Sequence, residues 1–211
     1  MEILYLNRVD STQKYLVDAI KKEKIKNEIA IVAKEQTNGV GSRNNSWVAS
    51  SGDLILSFAI KKTNLPQDLP LSSTSIYFGF LLKETLKKYE KNCYLKWPND
   101  IYIYDRKAGG IITQMVKDFF VVGVGVNLTK KAQDYAYFGN ISNIEELLES
   151  YFLLLKKAPK WQEVFSNFKV EFKKQKEFRV TINGKKELLK NATLCKDGSL
   201  LINNERIYSL R

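Results

Sequence analysis

The hydrophobic positions of the chain change period several times, and each change marks an element. Ile3 to Leu6 and Ile29 to Lys34 are apolar runs of strand length. Between them Asp10-Ser11 offers a helix N-cap, and Leu16, Ala19 and Ile20 recur at helical spacing to about Lys24. Leu54 to Ile60 alternates only in part and reads as a central strand. Residues 61–70 hold two prolines and form a loop, and residues 72–90 are apolar on several sides, which predicts a well-buried helix. After the short apolar run of Tyr94, Leu95 and Trp97, Pro98 fixes a turn, and the β-formers Ile101 to Tyr104 follow as a strand. Asp105-Arg106-Lys107 then turns the chain. Ile111 to Val116 and Phe119 to Val126 read as strands that pair across Lys117-Asp118.

The last third is helical, then short-period. Ser142-Asn143-Ile144-Glu145 is a capping box that opens a helix with Ile144, Leu147, Leu148, Tyr151 and Leu155 on one face. Pro159 breaks it, and Trp161, Val164, Phe165, Phe168 and Phe172 define a second helix whose aromatic stripe is core. Beyond about Glu177 the period falls to two, with turns at Asn183-Gly184, Asp197-Gly198 and Asn203-Asn204.

Composition narrows the chemistry. A hydrophobic content of 44% with 12% aromatics supplies a substantial core. No stretch of about 18 apolar residues occurs, so no membrane span is expected, and the first residues lack the basic and apolar regions of a signal peptide. The two cysteines, Cys93 and Cys195, form neither a disulfide framework nor a metal spacing, and free thiols are expected. The chain has no histidine, which excludes imidazole bases and histidine-held metals. Its net charge is +11, and residues 156–190 carry eleven basic against four acidic side chains. No zinc-finger or helix-turn-helix pattern accompanies that excess. A solvated basic face accounts for it, and so does a surface that attracts an acidic protein.

Three stretches could carry chemistry. The turn after Ile101–Tyr104 presents Asn99, Asp100 and Lys107 around one place, where a lysine could hold a phosphate or carboxylate. An ordinary hairpin with a basic turn fits the same spacing. Residues 37–47 form a polar loop in which Gly39 and Gly41 could turn backbone N–H groups toward an anion. Arg43 could grip a phosphate, and Trp47 could stack on a purine or anchor the loop. A mobile surface loop remains the alternative. Ser11 and Thr12, at a helix start, suit a polar ligand head, although capping alone explains Ser11. Gly123 and Gly125 inside a strand signal a bulge or a ligand against the backbone, and Asn127 could read an adenine edge or simply form a turn.

Lys96-Trp97-Pro98-Asn99-Asp100, followed by Asp105-Arg106-Lys107 and Gly109-Gly110, resembles the biotin protein ligase family, the biotin–[acetyl-CoA-carboxylase] ligases. So do Gln36-Thr37-Asn38-Gly39-Val40-Gly41-Ser42-Arg43 with Trp47, and Gly123-Val124-Gly125-Val126-Asn127-Leu128. Together with Asp10-Ser11-Thr12 the motifs span roughly residues 8–128 in the family's order. The resemblance implies an α+β fold, a mixed β-sheet flanked by helices of the class II synthetase-like biotin/lipoyl ligase type, over residues 1–176. It implies a small C-terminal SH3-like β unit over residues 177–211. The expected form is a short one without an N-terminal DNA-binding domain, cytoplasmic, with neither DNA nor membrane as partner and a homodimer left open.

The implied activity joins biotin to a lysine of the biotin carboxyl carrier protein of acetyl-CoA carboxylase, or of another biotin-dependent carboxylase, through biotinyl-AMP. ATP and Mg²⁺ are the implied cofactors. The nucleophile of each half-reaction belongs to a substrate, which suits a chain without histidine. Lys107, assisted by Arg43, is the implied catalytic cation. Ser11, Thr12, Gln13 and Gln36 would hold biotin, with Gly39, Val40, Gly41, Ser42 and Gly110. Arg43, Trp47, Lys96, Asn99, Asp100 and Asn127 would meet ATP or the adenylate, and Mg²⁺ would ride on the phosphates with Asp100 as the one candidate protein ligand. The sequence departs from the family where two arginines usually stand: here they are Val40 and Ser42. The departure implies a weaker hold on an anionic intermediate. Lipoate ligases and octanoyl transferases share the implied fold, and a basic biotin sensor or nucleic-acid binder is the non-catalytic alternative.

Overall fold

A computed structural model describes residues 1–211 apart from Arg43, Asn44, Gln133, Asn183, Gly184, Ser209, Leu210 and Arg211. The main sheet is built from β1 (Glu2–Val9), β2 (Ile29–Gln36), β5 (Leu54–Lys61), β6 (Cys93–Lys96), β7 (Asp100–Ile103), β8 (Arg106–Val116) and β9 (Phe119–Val126). Their order across the sheet is β1-β2-β5-β9-β8-β7-β6. Only β1 and β2 run parallel, joined by helix α1 (Thr12–Lys21) as the crossover, and the rest are antiparallel, so the sheet is mixed. Helices α2 (Thr74–Leu86), α3 (Ile144–Lys156) and α4 (Trp161–Lys173) cover one face, and α1 covers the other.

The alternation of β5 and β9 decides what each face holds. Leu54, Leu56, Phe58 and Ile60 of β5, with Phe120, Val122, Val124 and Val126 of β9, belong to the large core under the three helices. There Phe58 meets Phe78, Tyr151 and Phe152 edge-on, with ring centroids 5.6, 5.9 and 5.7 Å away. Ala59, Val116, Phe119 and Val121 join the smaller core with Leu16, Val17 and Ile20 of α1. Farther along that second face, the side chains are Ile55, Ser57, Gly123 and Gly125. The α1 face therefore stops being core where its residues become small or polar.

Several local expectations are corrected. Arg106 and Lys107 are not in the turn: they open β8, and the turn is Tyr104-Asp105, with Tyr104 at φ 54°. The cap of α3 is Asn143 rather than Ser142, because its side chain accepts the N–H of Glu146 at 3.1 Å. Helix α1 stops at Lys21, with Glu23 at φ 58°. Residues 71–73 are a 3₁₀ turn before α2, which ends at Leu86. β1 extends to Val9, since polar Asn7 and Arg8 cost nothing on a strand open to solvent. The polar loop contains a ribbon of β3 (Gly39–Val40) and β4 (Ser46–Trp47).

After α4 the chain forms a small strand-rich unit. β10 (Arg179–Ile182) pairs with β11 (Lys185–Leu188), around the expected Asn183-Gly184 turn that lies outside the described residues. β12 (Thr193–Leu194), β13 (Leu200–Ile202) and β14 (Glu205–Ile207) make a second sheet, turning at Asn203-Asn204 with φ 50° and 64°. Val180, Ile182, Leu200 and Ile202 belong to the large core. The indoles of Trp97 and Trp161 donate to Gly198 O at 2.9 Å and Lys196 O at 3.0 Å, fixing this unit against the sheet and α4. Cys93 and Cys195 are free thiols, and burial raises that of Cys93 to about 12.

Candidate active site

The open part of the α1 face is a cleft whose floor is two ranks of cross-strand neighbours. Ile55, Gly125, Gly110 and Asp100 form one rank across β5, β9, β8 and β7. Ser57, Gly123 and Ile112 form the next. The glycines leave backbone as the floor between the flanking side chains. No register shift occurs in β9; the irregularity lies between Ile101 and Tyr102 of β7. What lies on Gly125 is Trp47: a Cβ on this glycine would stand 2.3 Å from the indole Cε2. The cleft is consequently narrow, with about 50 Å³ of free space.

The start of α1 forms the wall at the Gly123 end. Ser11 caps the helix, accepting the N–H of Lys14 at 3.4 Å. Thr12 donates its N–H to Gln36 Oε1 at 2.8 Å, and its hydroxyl lies 3.1 Å from the same oxygen and 2.8 Å from Ser57 Oγ. Gln13 donates its amide to Val121 O at 3.2 Å, which turns Oε1 toward the position a Cβ of Gly123 would occupy, 2.8 Å away. That oxygen is buried with no hydrogen-bond partner. A buried acceptor without a donor costs free energy until something supplies one. The Trp47 indole N–H is likewise buried and unpartnered.

Charge gathers at the other end. Lys107 Nζ lies 2.6 Å from Asp100 Oδ1 and 5.9 Å from the Trp47 ring centroid. Asn99 donates to Ile111 O at 2.6 Å and accepts the Ile111 N–H on its own carbonyl at 2.9 Å, which fixes the strand bearing Lys107 and Gly110. Ser11, Thr12, Gln13, Gln36, Lys107 and Gly110 all line the cleft, as do Val40, Gly41, Ser42, Trp47, Asn99 and Asp100.

Three expected residues among those described are not among its lining. Gly39 packs behind, where a Cβ would meet Trp47 O at 2.3 Å and the Gln36 amide at 2.5 Å. Lys96 lies over the Tyr102 and Phe178 rings, 4.7 and 5.4 Å from their centroids, and donates to the Tyr102 hydroxyl at 3.2 Å. Burial lowers the Lys96 ammonium below its usual range against the pull of Asp100, and burial raises the Tyr102 hydroxyl to about 12. Asn127 donates its side-chain amide to Ala136 O at 3.0 Å, its N–H to Ala108 O at 2.8 Å, and accepts from Phe138 N at 2.9 Å. It ties the chain after β9 to β8, and its side-chain amide is bonded to Ala136 O. Arg43 lies outside the described residues.

Two residues were missed. Ser57 is the polar exception in the apolar run of β5, and that exception was the available signal. Asp53 carried none. Its buried carboxylate accepts from Leu128 N, Thr129 N and Thr129 Oγ1 at 3.0, 3.2 and 2.9 Å, from Ser50 N at 2.7 Å, and from Lys131. It thereby joins the chain leaving Trp47 to the chain leaving β9.

A family model described as the Biotin/lipoate A/B protein ligase family matches residues 5–129. The crystal structure of biotin acetyl coenzyme A carboxylase synthetase from Helicobacter pylori, with bound biotinylated ATP, is 34% identical. It covers 98% of this chain and 99% of that one at a TM-score of 0.92. The bifunctional ligase/repressor BirA of Escherichia coli (strain K12) is 31% identical over 130 residues, 58% of this chain and 39% of that protein. The biotin–[acetyl-CoA-carboxylase] ligase of Mycobacterium tuberculosis (strain ATCC 25618 / H37Rv) is 26% identical over 111 residues, 50% of this chain and 41% of that protein. The chain thus spans about two fifths of the length of these curated relatives.

Proposed function

Because the chain belongs to the biotin/lipoate A/B protein ligase family, we propose that it attaches biotin to a lysine of a biotin carboxyl carrier domain, using ATP and passing through biotinyl-AMP. One observation carries this reading. The cleft has an unpartnered buried acceptor, Gln13 Oε1, near one end and an ammonium, Lys107, at the other, with Ile55 and Ile112 between. Such a cleft suits a ligand with N–H donors on its head and a carboxylate on its tail, which describes biotin. Lipoate and octanoate have no N–H at the far end, and either would leave Gln13 Oε1 unpaired at a cost of about 1–3 kcal/mol.

In the first half-reaction a carboxylate oxygen of biotin attacks the α-phosphorus of ATP, and the bond to pyrophosphate breaks. In the second the carrier lysine amine attacks the acyl carbon, AMP leaves, and the amine gives up a proton. The protein's own work is to orient the reactants and neutralise charge at phosphorus. Lys107 supplies that charge, and Asp100 holds it in place across Gly110. Thr12, Gln36 and Ser57 orient the head, and Trp47 must lift from Gly125 to admit the ligand. Asp100 is the carboxylate of the cleft and would be the protein ligand available to Mg²⁺ carried by the phosphates; the described residues hold no group of three His, Cys, Asp or Glu side chains placed to bind a metal. Bound in this way, Mg²⁺ would supply further charge neutralisation at the phosphates.

The proposed partner is the carrier domain, in the cytoplasm, where ATP is present. The net charge of +11, concentrated in residues 156–190, would draw an acidic carrier toward the enzyme. No helix among the described residues is long and apolar enough to cross a membrane. The test is to incubate the chain with ATP, a carrier domain and biotin, lipoate or octanoate in parallel, then weigh the carrier. A gain of one biotinyl group, with none from the other acids, is expected. A gain from lipoate or octanoate alone would overturn the proposal.

A further inference from the structure

The first rank of the cleft floor does not stop at Asp100. The register of β6 and β7 sets Lys96 opposite Asp100, so the rank runs Ile55, Gly125, Gly110, Asp100, Lys96. Leu95, Trp97 and Ile101 belong to the core under the three helices, which puts Lys96 and Asp100 together on the cleft face. Directly opposed side chains of an antiparallel pair start about 4.5–5.5 Å apart at Cβ, well within the reach of a lysine stem. Lys96 is nevertheless drawn aside. Its ammonium donates to the Tyr102 hydroxyl at 3.2 Å and lies over the Tyr102 and Phe178 rings.

Asp100 is meanwhile occupied by Lys107, whose Nζ lies 2.6 Å from Oδ1. If Lys107 neutralises charge at phosphorus, the reading on which this inference rests, that pair creates a conflict. A phosphate that takes Lys107 brings its own negative charge beside the Asp100 carboxylate. Both side chains are partly buried, where like charges repel more strongly than in water. A second cation on the far side of Asp100 relieves the repulsion. We infer that Lys96 is that cation: when a phosphate takes Lys107, the Lys96 ammonium swings from the Tyr102 hydroxyl to the Asp100 carboxylate. Lys96 is then a positioning residue, acting through Asp100 and Lys107 rather than by touching the nucleotide.

Both charges already reach Lys96. Burial lowers its ammonium, Asp100 raises it and Lys107 lowers it further. The swing exchanges a neutral acceptor for a charged one, and hydrogen bonds to charged groups are the stronger kind. The aromatic bed stays in place when the ammonium leaves it, because the Phe178 ring packs 5.9 and 5.7 Å from the Tyr94 and Tyr102 rings.

Calorimetric titration with AMP, without Mg²⁺, tests the inference, because it needs a phosphate at Lys107 but neither biotin nor chemistry. Its failure is therefore separate from a failure of biotin ligation, which the carrier assay reads on its own. Leaving out Mg²⁺ also removes the other role proposed for Asp100. The full chain is compared as wild type, Lys96→Met, Asp100→Asn and the double variant. Lys96→Met should weaken AMP binding roughly 10-fold in the wild-type background, a size usual for coupled neighbours. In the Asp100→Asn background it should change nothing, since no carboxylate is left to neutralise. Lys96→Arg, which keeps the charge, should bind AMP as the wild type does. Methionine keeps an unbranched stem on the rings, and any packing defect would show in both backgrounds. Equal weakening in the two backgrounds would overturn the inference, because a packing role or a direct contact with the phosphate predicts that result. So would no weakening in either, an arginine variant as weak as the methionine one, or a wild type that does not bind AMP.

Discussion

Lys107 and Asp100 stand on adjacent strands without being cross-strand partners. The register sets Asp100 opposite Gly110 and Lys107 opposite Tyr102, yet Lys107 Nζ lies 2.6 Å from Asp100 Oδ1. The ion pair spans the space above Gly110, where a Cβ would lie 3.4 Å from Asp100 Oδ1 and 3.7 Å from Lys107 Cε. The lysine is thus aimed along the cleft floor toward the ranks bearing Gly123 and Gly125.

Removing that ammonium should remove one electrostatic contact to the transition state. Lys107→Ala is expected to slow adenylate formation by at least ~100-fold. The side chain is partly exposed and packs little, so thermal unfolding should change slightly. Pyrophosphate release from biotin and ATP, measured beside a melting curve, checks both; normal release would remove Lys107 from its assigned role.

Trp47 should report on the ligand. It lies on Gly125, whereas the Trp97 and Trp161 indoles are buried and bonded to carbonyls of the C-terminal unit. Adding biotin with ATP should shift the tryptophan emission of the wild type, and Trp47→Phe should abolish the shift. An undiminished shift in the mutant would place the moving indole elsewhere.

The lining residues Val40 and Ser42 offer no charge to an anionic adenylate. A charge-assisted hydrogen bond is worth about 1.5–3 kcal/mol. Ser42→Arg should therefore slow biotinyl-AMP dissociation by roughly 10-fold or more. Equal dissociation rates in wild type and variant would mean that another cation already holds the phosphate.

Asp53 gives the fold a defined acid limb. Burial alone would raise its carboxyl, but the bonds from Lys131, Ser50, Thr129 and Leu128 outweigh burial and hold it below the usual carboxylate range. A depressed folded-state value stabilises the fold above the ordinary carboxylate range, and that contribution is lost as pH falls through the depressed value. Asp53→Asn should cost about 1–3 kcal/mol near neutrality, by removing a buried carboxylate that accepts from Leu128, Thr129, Ser50 and Lys131. The gap from wild type should shrink as pH falls below the ordinary carboxylate range. Urea unfolding across that range measures it; a gap independent of pH would contradict the assignment.

The legible part of the molecule was what periodicity and turn chemistry encode. The apolar runs of β5 and β9 and the aromatic stripe of α4 gave elements close to those observed, because burial writes itself into composition and spacing. Polar residues at strand ends write nothing, so the sequence places Arg106 and Lys107 in a turn although they open β8. Long-range polar bonds were also invisible. Gln175, after α4, accepts from Trp97 N at 3.1 Å and donates to Leu95 O at 2.7 Å, standing in for a strand beside β6. No local pattern signals a side chain paired with backbone so far back in the chain. Asn127 shows the converse: a motif residue whose amide is taken up by Ala136.

The most direct measurement omits the carrier. The chain, incubated with biotin and ATP alone, should form biotinyl-AMP and release one pyrophosphate per adenylate, with neither product appearing when biotin is replaced by lipoate or octanoate. Substituting Gln13→Leu should remove the preference for biotin while Lys107→Ala removes the chemistry. Pyrophosphate release that requires no biotin, or that is supported equally by the three acids, would contradict the account.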